Sequence, residues 1–207
     1  TAEVLAGYTD PRLRILRHAH NQGISRASNR GLEMARGRYF AILDSDDYAF
    51  PERLAKQTAF LDAHPEYAEL GTWGARMDAA GRLSQKIKQQ PLTDGAVRTQ
   101  LLFTCCLNNR SMMGRTEILR HHRFPEEQKV AANYEMHRRV IRQHKVANLP
   151  EILVAGRYHD DQITSAEGGE SSVVKRAIID RLLNDIGISP TARELDRHIA
   201  LWRSHDT

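Results

Sequence analysis

The stretch from Arg38 to Asp47, RYFAILDSDD, constrains this chain more than any other. An unbroken apolar run, Tyr39 to Leu43, is followed at once by Asp44, Asp46 and Asp47. The run lacks the polar alternation of a half-exposed strand, so it predicts a parallel strand covered on both faces. Its tip gathers like charges, which raises carboxylate pKa values and destabilises a fold unless something positive offsets them. In an open α/β sheet, ligands sit beyond the carboxyl ends of the strands, which is where Asp44 falls. Carboxylates there can hold a divalent cation, and magnesium or manganese in turn binds phosphates. The simpler alternative is that Asp46 and Asp47 only cap the helix that starts near Pro51. A calcium loop beginning at Asp44 fails, because it needs Gly at 49 and Glu at 55 and both positions are Ala.

Around this strand the pattern alternates. LRILR at 13–17 predicts a short strand. Ile24, Ala27, Gly31, Met34 and Ala35 fall at helical spacing, with Gly37 as a helix-ending glycine. Phe50-Pro51-Glu52 opens a helix with Leu54, Thr58 and Leu61 on its inner face. A strand over 69–77, a turn at Ala79-Ala80-Gly81, a helix from Asp94 to about Phe103 and an extended segment over 105–113 come next. Helices over 116–122 and 133–143 then lead to a strand over 152–158. This alternation predicts an α/β/α sandwich with a mostly parallel central sheet. After Ser165 the texture changes to a linker, AEGGESS, and two amphipathic helices. The second has Ser189 as its cap, Pro190 inside it, and Leu195, Ile199 and Trp202 on one face. The division expected is a core over 1–165 and an appendage over 166–207.

Composition narrows the function classes. At 207 residues the chain is one large domain or a domain with an appendage. Its net charge of +4 comes without a basic run, so a nucleic-acid partner is not expected. Cys105 and Cys106 are neighbours, which rarely meet disulfide geometry; they read as reduced thiols in a cytoplasmic protein. No stretch reaches the ~20 apolar residues of a membrane span, although the basic terminal helices leave peripheral membrane contact open.

Taken together, NQGISRASNRGLEMARGRYFAILDSDDYAFPERLAKQ resembles a family-2 glycosyltransferase of the GT-A fold. That family's ordered pattern is N-x-G-x-[SA]-x-A-R-N-x-G, A-x-G-x-Y-[IV], L-D-x-D-D and P-x-x-L. Asn21, Gly23, Ser25, Ala27, Asn29, Gly31, Ala35, Gly37, Tyr39, Leu43, Asp44, Asp46, Asp47, Pro51 and Leu54 fit it. The resemblance implies transfer of a sugar, with inversion, from a nucleotide-diphospho-sugar donor to a saccharide or lipid-linked acceptor in cell-envelope polysaccharide assembly. It implies that Asn29, Asp44, Asp46, Asp47 and Arg157 contact the nucleotide sugar, Asp44 at the ribose. It further implies that Asp46 coordinates a manganese or magnesium ion on the diphosphate. Arg157-Tyr158-His159 matches a late R-x-H element, which would bring His159 to the metal.

Three departures accompany the resemblance. The family opens with a strand and an acidic D-x-S-x-D-x-T segment, and Thr1-Ala2-Glu3 resembles the residues immediately after that segment. A truncated core lacking its first strand and nucleotide loop is therefore expected. Ser28 stands at the family's Arg. The acceptor-side motif E-D-[YW]-[DE]-L becomes Ala132-Asn133-Tyr134-Glu135-Met136, so Asn133 replaces the Asp that would deprotonate the acceptor. An amide cannot take that proton at neutral pH; either Glu135 is recruited or transfer is crippled. A nucleotide-sugar-binding pseudoenzyme is thus the alternative. A second alternative is a phosphatase of the haloacid dehalogenase type, which also sets Asp-x-Asp after an apolar strand.

Overall fold

The computed structural model describes residues 2–158 and 168–203. His159, the QITS segment and the first residues of the expected linker lie outside the described residues. Six strands form one sheet: β1 (Tyr39–Ala41), β2 (Tyr48–Ala49), β3 (Tyr67–Met77), β4 (Leu83–Lys88), β5 (Met113–Arg115) and β6 (Lys145–Arg157). Their order is β1-β5-β3-β6-β2, with β4 hairpinned onto β3 through the turn at Asp78–Arg82. The β3–β6 pair is parallel, joined by a long connection that includes β4 and β5, and the other pairs among the described strands are antiparallel. The α/β class holds, but the mostly parallel sheet is corrected to a mixed one.

The reason lies in β1. Its apolar run does not mark burial on two faces: β1 is a short edge strand, paired antiparallel with β5, and Leu43 beyond it is exposed. LRILR at 13–17 is likewise not a strand; it runs over the surface with Leu13, Ile15 and Leu16 exposed. Both stretches have β-forming composition, yet ladder pairing requires a neighbour at the right place, which composition does not specify.

The helices are α1 (Ala2–Ala6), α2 (Ile24–Met34), α3 (Arg53–Ala63), α4 (Asp94–Leu101), α5 (Thr116–His122), α6 (Ala132–Ile141), α7 (Gly168–Asp185) and α8 (Ala192–Arg203). α3 covers one face of the sheet, where Leu61 meets Leu70, Met113 and Ala147. On the other face Leu32, Leu101, Leu119, Met136 and Val140 pack with Val146. Ile178 and Leu182 of α7 and Leu195 of α8 join this second cluster, so the terminal helices share the main core. Among the described residues no helix is long and apolar enough to cross a membrane.

Two predicted helices turn a different face inward. α2 buries Ser25, Asn29 and Leu32 while Ile24 is exposed, and α3 buries Arg53, Gln57 and Leu61 while Leu54 is exposed. α2 starts at Gly23, whose φ of 83° suits glycine. It ends at an extended Ala35, so Gly37 is not its cap.

Candidate functional site

The topology decides where the aspartates go. β1 and β3 both run antiparallel to β5, and β6 runs parallel to β3. The carboxyl ends of β1, β3 and β6 therefore lie together, beside the amino end of β5. β1 and β2 stand at opposite edges of the sheet. The chain from Ile42 to Asp47 must accordingly cross that end of the sheet. Within it a tight turn, closed by Asp47 N–H on the Asp44 carbonyl at 3.1 Å, presents the three carboxylates.

Three arginines hold this crossing. Arg157, at the end of β6, donates its backbone N–H to Asp47 Oδ1 at 2.9 Å. Its side chain donates to the Asp46 carbonyl at 2.9 Å and the Ala79 carbonyl at 2.8 Å, tying the turn to the β3–β4 hairpin. Arg110, on a short 3-10 turn before β5, places Nε 2.8 Å from Asp47 Oδ2, and the Asp47 side chain is fully buried there. From below, Arg53 Nη2 donates to the carbonyls of Ile42 at 2.7 Å and Met112 at 3.2 Å, and Nε donates to Gln57 Oε1 at 3.0 Å. Gln57 passes the network on to the carbonyls of Ser111 and Leu70.

Arg53 is only 2% exposed and its hydrogen-bond partners are all neutral. Burial accordingly pulls its pKa down to about 10, which still leaves it charged at neutral pH. Sequence reasoning missed both Arg53 and Arg110. The stripe 53-57-61 has helical spacing, but its first two members are polar and look like an outer face.

The charge crowding foreseen at the tip is present. Burial raises the Asp44 pKa, Arg110 opposes the shift, and Asp46 adds to it. Asp47 is raised first by burial, against Arg110 and the Arg157 N–H. Among the described residues no group of three or more His, Cys, Asp or Glu is arranged to hold a metal. A magnesium-like ion, however, binds through one or two carboxylates and keeps its remaining positions for water and phosphate. Asp44 and Asp46 fit that donor set in kind, and the raised Asp44 would be relieved by a cation. Arg110 and Arg157 face the two Asp47 oxygens, so in this arrangement Asp47 braces the turn.

The remaining candidates separate from this corner. Asn29 is buried in α2; its amide accepts from Phe124 N–H and donates to the Phe124 carbonyl, both at 2.9 Å, and to Glu126 Oε1 at 3.0 Å. It mimics a strand partner and clasps α2 to the segment after α5. Asn133, in the first turn of α6, sits half-buried with Nδ2 3.9 Å from Cys105 Sγ. Burial raises the Cys105 thiol to about 12, so it is not a nucleophile.

Glu135 is 5% exposed and surrounded by guanidinium groups. Arg138 takes both of its oxygens at 3.1 Å, Arg139 Nε donates to Oε1 at 3.1 Å, and Arg181 of α7 lies 3.2 Å from Oε2. Burial alone would raise its pKa, but Arg138, Arg181 and Arg139 outweigh that and hold it below the ordinary value. A carboxylate so held is a poor proton acceptor. In this arrangement Glu135 links α6 to α7.

Comparison with known proteins fits this geometry. The chain is 29% identical over 192 residues to an uncharacterized glycosyltransferase of Haemophilus influenzae, covering 86% of this chain and 59% of that protein. It is 27% identical to the amylovoran biosynthesis glycosyltransferase AmsE of Erwinia amylovora, covering 72% of this chain and 55% of the relative. The chain thus spans a little over half the length of these relatives. Among solved structures, S. aureus TarS 1-349 in complex with UDP-GlcNAc superposes with a TM-score of 0.67 at 18% identity, over 97% of this chain and 58% of that one. At that identity the likeness establishes the fold, a GT-A-like one, and gives the phosphatase alternative no support. The sequence model of glycosyl transferase family 2 matches residues 1–123, more than half of the chain, and the chain therefore belongs to glycosyl transferase family 2.

Proposed function

We propose that this chain is the core of an inverting glycosyltransferase that takes a nucleotide-diphospho-sugar as donor and a saccharide or lipid-linked molecule as acceptor. The observation that carries the reading is the Asp44–Asp47 turn, set across the carboxyl ends of β1, β3 and β6 and braced by Arg53, Arg110 and Arg157. So many polar contacts fix the position of a turn that would otherwise repel itself, as a preformed ligand site requires. In this reading Asp44 and Asp46 hold a magnesium or manganese ion, and Asp44 also faces the ribose. When bound, that ion supplies Lewis-acid charge against the negative charge of the departing diphosphate.

In the transfer, the bond from the sugar's anomeric carbon to the diphosphate oxygen breaks and its electron pair leaves with the diphosphate. The acceptor oxygen bonds to the same carbon from the opposite face, and its proton passes to a base. The work is assigned to the cytoplasm, at the inner face of the membrane where the acceptor is lipid-linked. α8 is a weak membrane anchor in this scheme, because Leu195 and Ile199 face the core.

The proton step favours a second reading. Asn133 accepts no proton at neutral pH, and Glu135 is held by three guanidiniums. The matching alternative is a nucleotide-sugar-binding pseudoenzyme that recognises the donor without transferring it. Calorimetric titration with uridine and guanosine diphosphates plus manganese, beside a sugar-release assay, separates the two. Binding with turnover supports the transferase, and binding without turnover the alternative. Asp46→Ala should abolish manganese-dependent nucleotide binding while the melting curve stays intact. Unchanged affinity in that variant would remove the metal from the reading.

A further inference from the structure

We infer that Arg110 is a direct contact for the donor's diphosphate, a fixed cation at the mouth of the aspartate turn. This rests on the nucleotide-sugar reading above. The three arginines of the corner are not equivalent. Arg53 lies beneath the turn and is consumed by the carbonyls of Ile42 and Met112 and by Gln57. Arg157 donates to the carbonyls of Asp46, Asp78 and Ala79. Arg110 touches Asp47 through Nε, and among the described residues neither of its terminal nitrogens makes a hydrogen bond. Its side chain is 24% exposed, so part of it stays open to solvent.

The guanidinium is also held in orientation. A Cβ built on Gly156 would stand 1.9 Å from Nη1 and 2.8 Å from Cζ of Arg110, so the group lies against the bare backbone of β6 in a slot only glycine leaves open. The Tyr158 ring lies 5.9 Å away, with Arg76 4.6 Å over the same ring. An ion pair partly removed from water roughly breaks even in stability. Stability alone thus gives no reason to seat an arginine so closely and leave its fork unbonded. A ligand does. Asp47, which Arg110 holds at 2.8 Å, closes the turn onto the Asp44 carbonyl at 3.1 Å, so Arg110 is anchored to the turn that carries the carboxylates assigned to the ion. One divalent ion cancels only part of the charge of that turn and a diphosphate together. A planar fork suits bidentate contact with phosphate oxygens.

The test is calorimetry on the full chain with manganese, titrating uridine diphosphate and uridine monophosphate into the wild type, Arg110→Gln, Arg110→Lys and Gly156→Ala, each checked by thermal unfolding. Losing hydrogen bonds to a charged group should weaken diphosphate binding about 10- to 100-fold in Arg110→Gln, with the monophosphate changed by less than about threefold. Arg110→Lys, which keeps the charge and loses the fork, should fall between. Gly156→Ala should weaken diphosphate binding with all charges retained, because it evicts the guanidinium from its slot. Unchanged diphosphate affinity in Arg110→Gln overturns the inference while the donor reading stands. An equal loss for both nucleotides also overturns it, since that marks a structural prop. If Arg110→Gln does not fold, Arg110→Lys decides by the same criterion. A wild-type chain that binds neither nucleotide brings down the donor reading and this inference together.

Discussion

Glu135 shows how one side chain can change the meaning of a motif. Its sequence position suggested a spare carboxylate near the acceptor, but three guanidiniums surround it. With two of them on its own helix and Arg181 on α7, it pins those helices together. Arg138 also pairs with Asp185 of α7, which extends the same network. Removing one partner of a buried ion pair leaves the others uncompensated and costs about 3–5 kcal/mol. Glu135→Gln should therefore lower unfolding stability by about 3 kcal/mol in a urea titration, while nucleotide affinity stays unchanged. The pH dependence has a definite sign. The Glu135 pKa is held below its ordinary 4.5 in the fold. Its stabilisation is thus full above that value and lost as pH falls through the lower folded value. Wild-type stability should drop more steeply with acid below about pH 4.5 than that of Glu135→Gln, and equal slopes would show that Glu135 is not the anchor described.

At the level of elements, period proved easier to read than polarity. The helices α3, α5 and α6 lie close to where the apolar spacing put them, because that spacing follows from 3.6 residues per turn whatever the residues face. Which face turns inward did not follow, since α2 buries Asn29 and α3 buries Arg53 and Gln57. Those polar residues satisfy backbone carbonyls outside their own helices, among them those of Phe124, Met112 and Ser111 far away in the chain, and no local rule anticipates such partners. Caps behaved similarly at short range. The start of α8 is set by Thr191, not Ser189: Thr191 Oγ1 accepts Glu194 N–H at 3.4 Å and Glu194 Oε2 accepts Thr191 N–H at 2.8 Å. That reciprocal pair is a capping box; Ser189 instead donates to Asn184 Oδ1 at the end of α7. Thr191→Ala should cost about 1 kcal/mol, measured by the shift in chemical denaturation midpoint, and Ser189→Ala less than half of that. The reverse ranking would return the cap to Ser189.

For the whole molecule, the legible part was the corner and the illegible part was the sheet around it. A strand tipped with aspartates, a helix after Pro51 and a late Arg157 were all readable, because each is local. The mixed sheet was not, for β1 and β5 carry few residues and their antiparallel pairing depends on distant segments meeting. The same applies to the terminal helices. Their texture after Ser165 suggested an appendage, yet Ile178, Leu182 and Leu195 are buried in the cluster that contains Leu101, Met136 and Val146. An appendage would unfold by itself and leave the rest intact, whereas helices sharing a core unfold with it. Ile178 is fully buried, so Ile178→Ala should destabilise by about 2–5 kcal/mol through lost burial and the cavity left behind. The loss should appear as one transition, with fluorescence and far-ultraviolet dichroism moving together. With Trp202 replaced by Phe so that Trp73 in β3 is the one remaining tryptophan, an early transition confined to part of the helical signal with the tryptophan signal unmoved would instead make residues beyond 168 an independent unit. Because α7 also carries Arg181 to Glu135 on α6, the same variant should loosen the turn that holds Asn133 and raise hydrogen exchange at the amino end of α6.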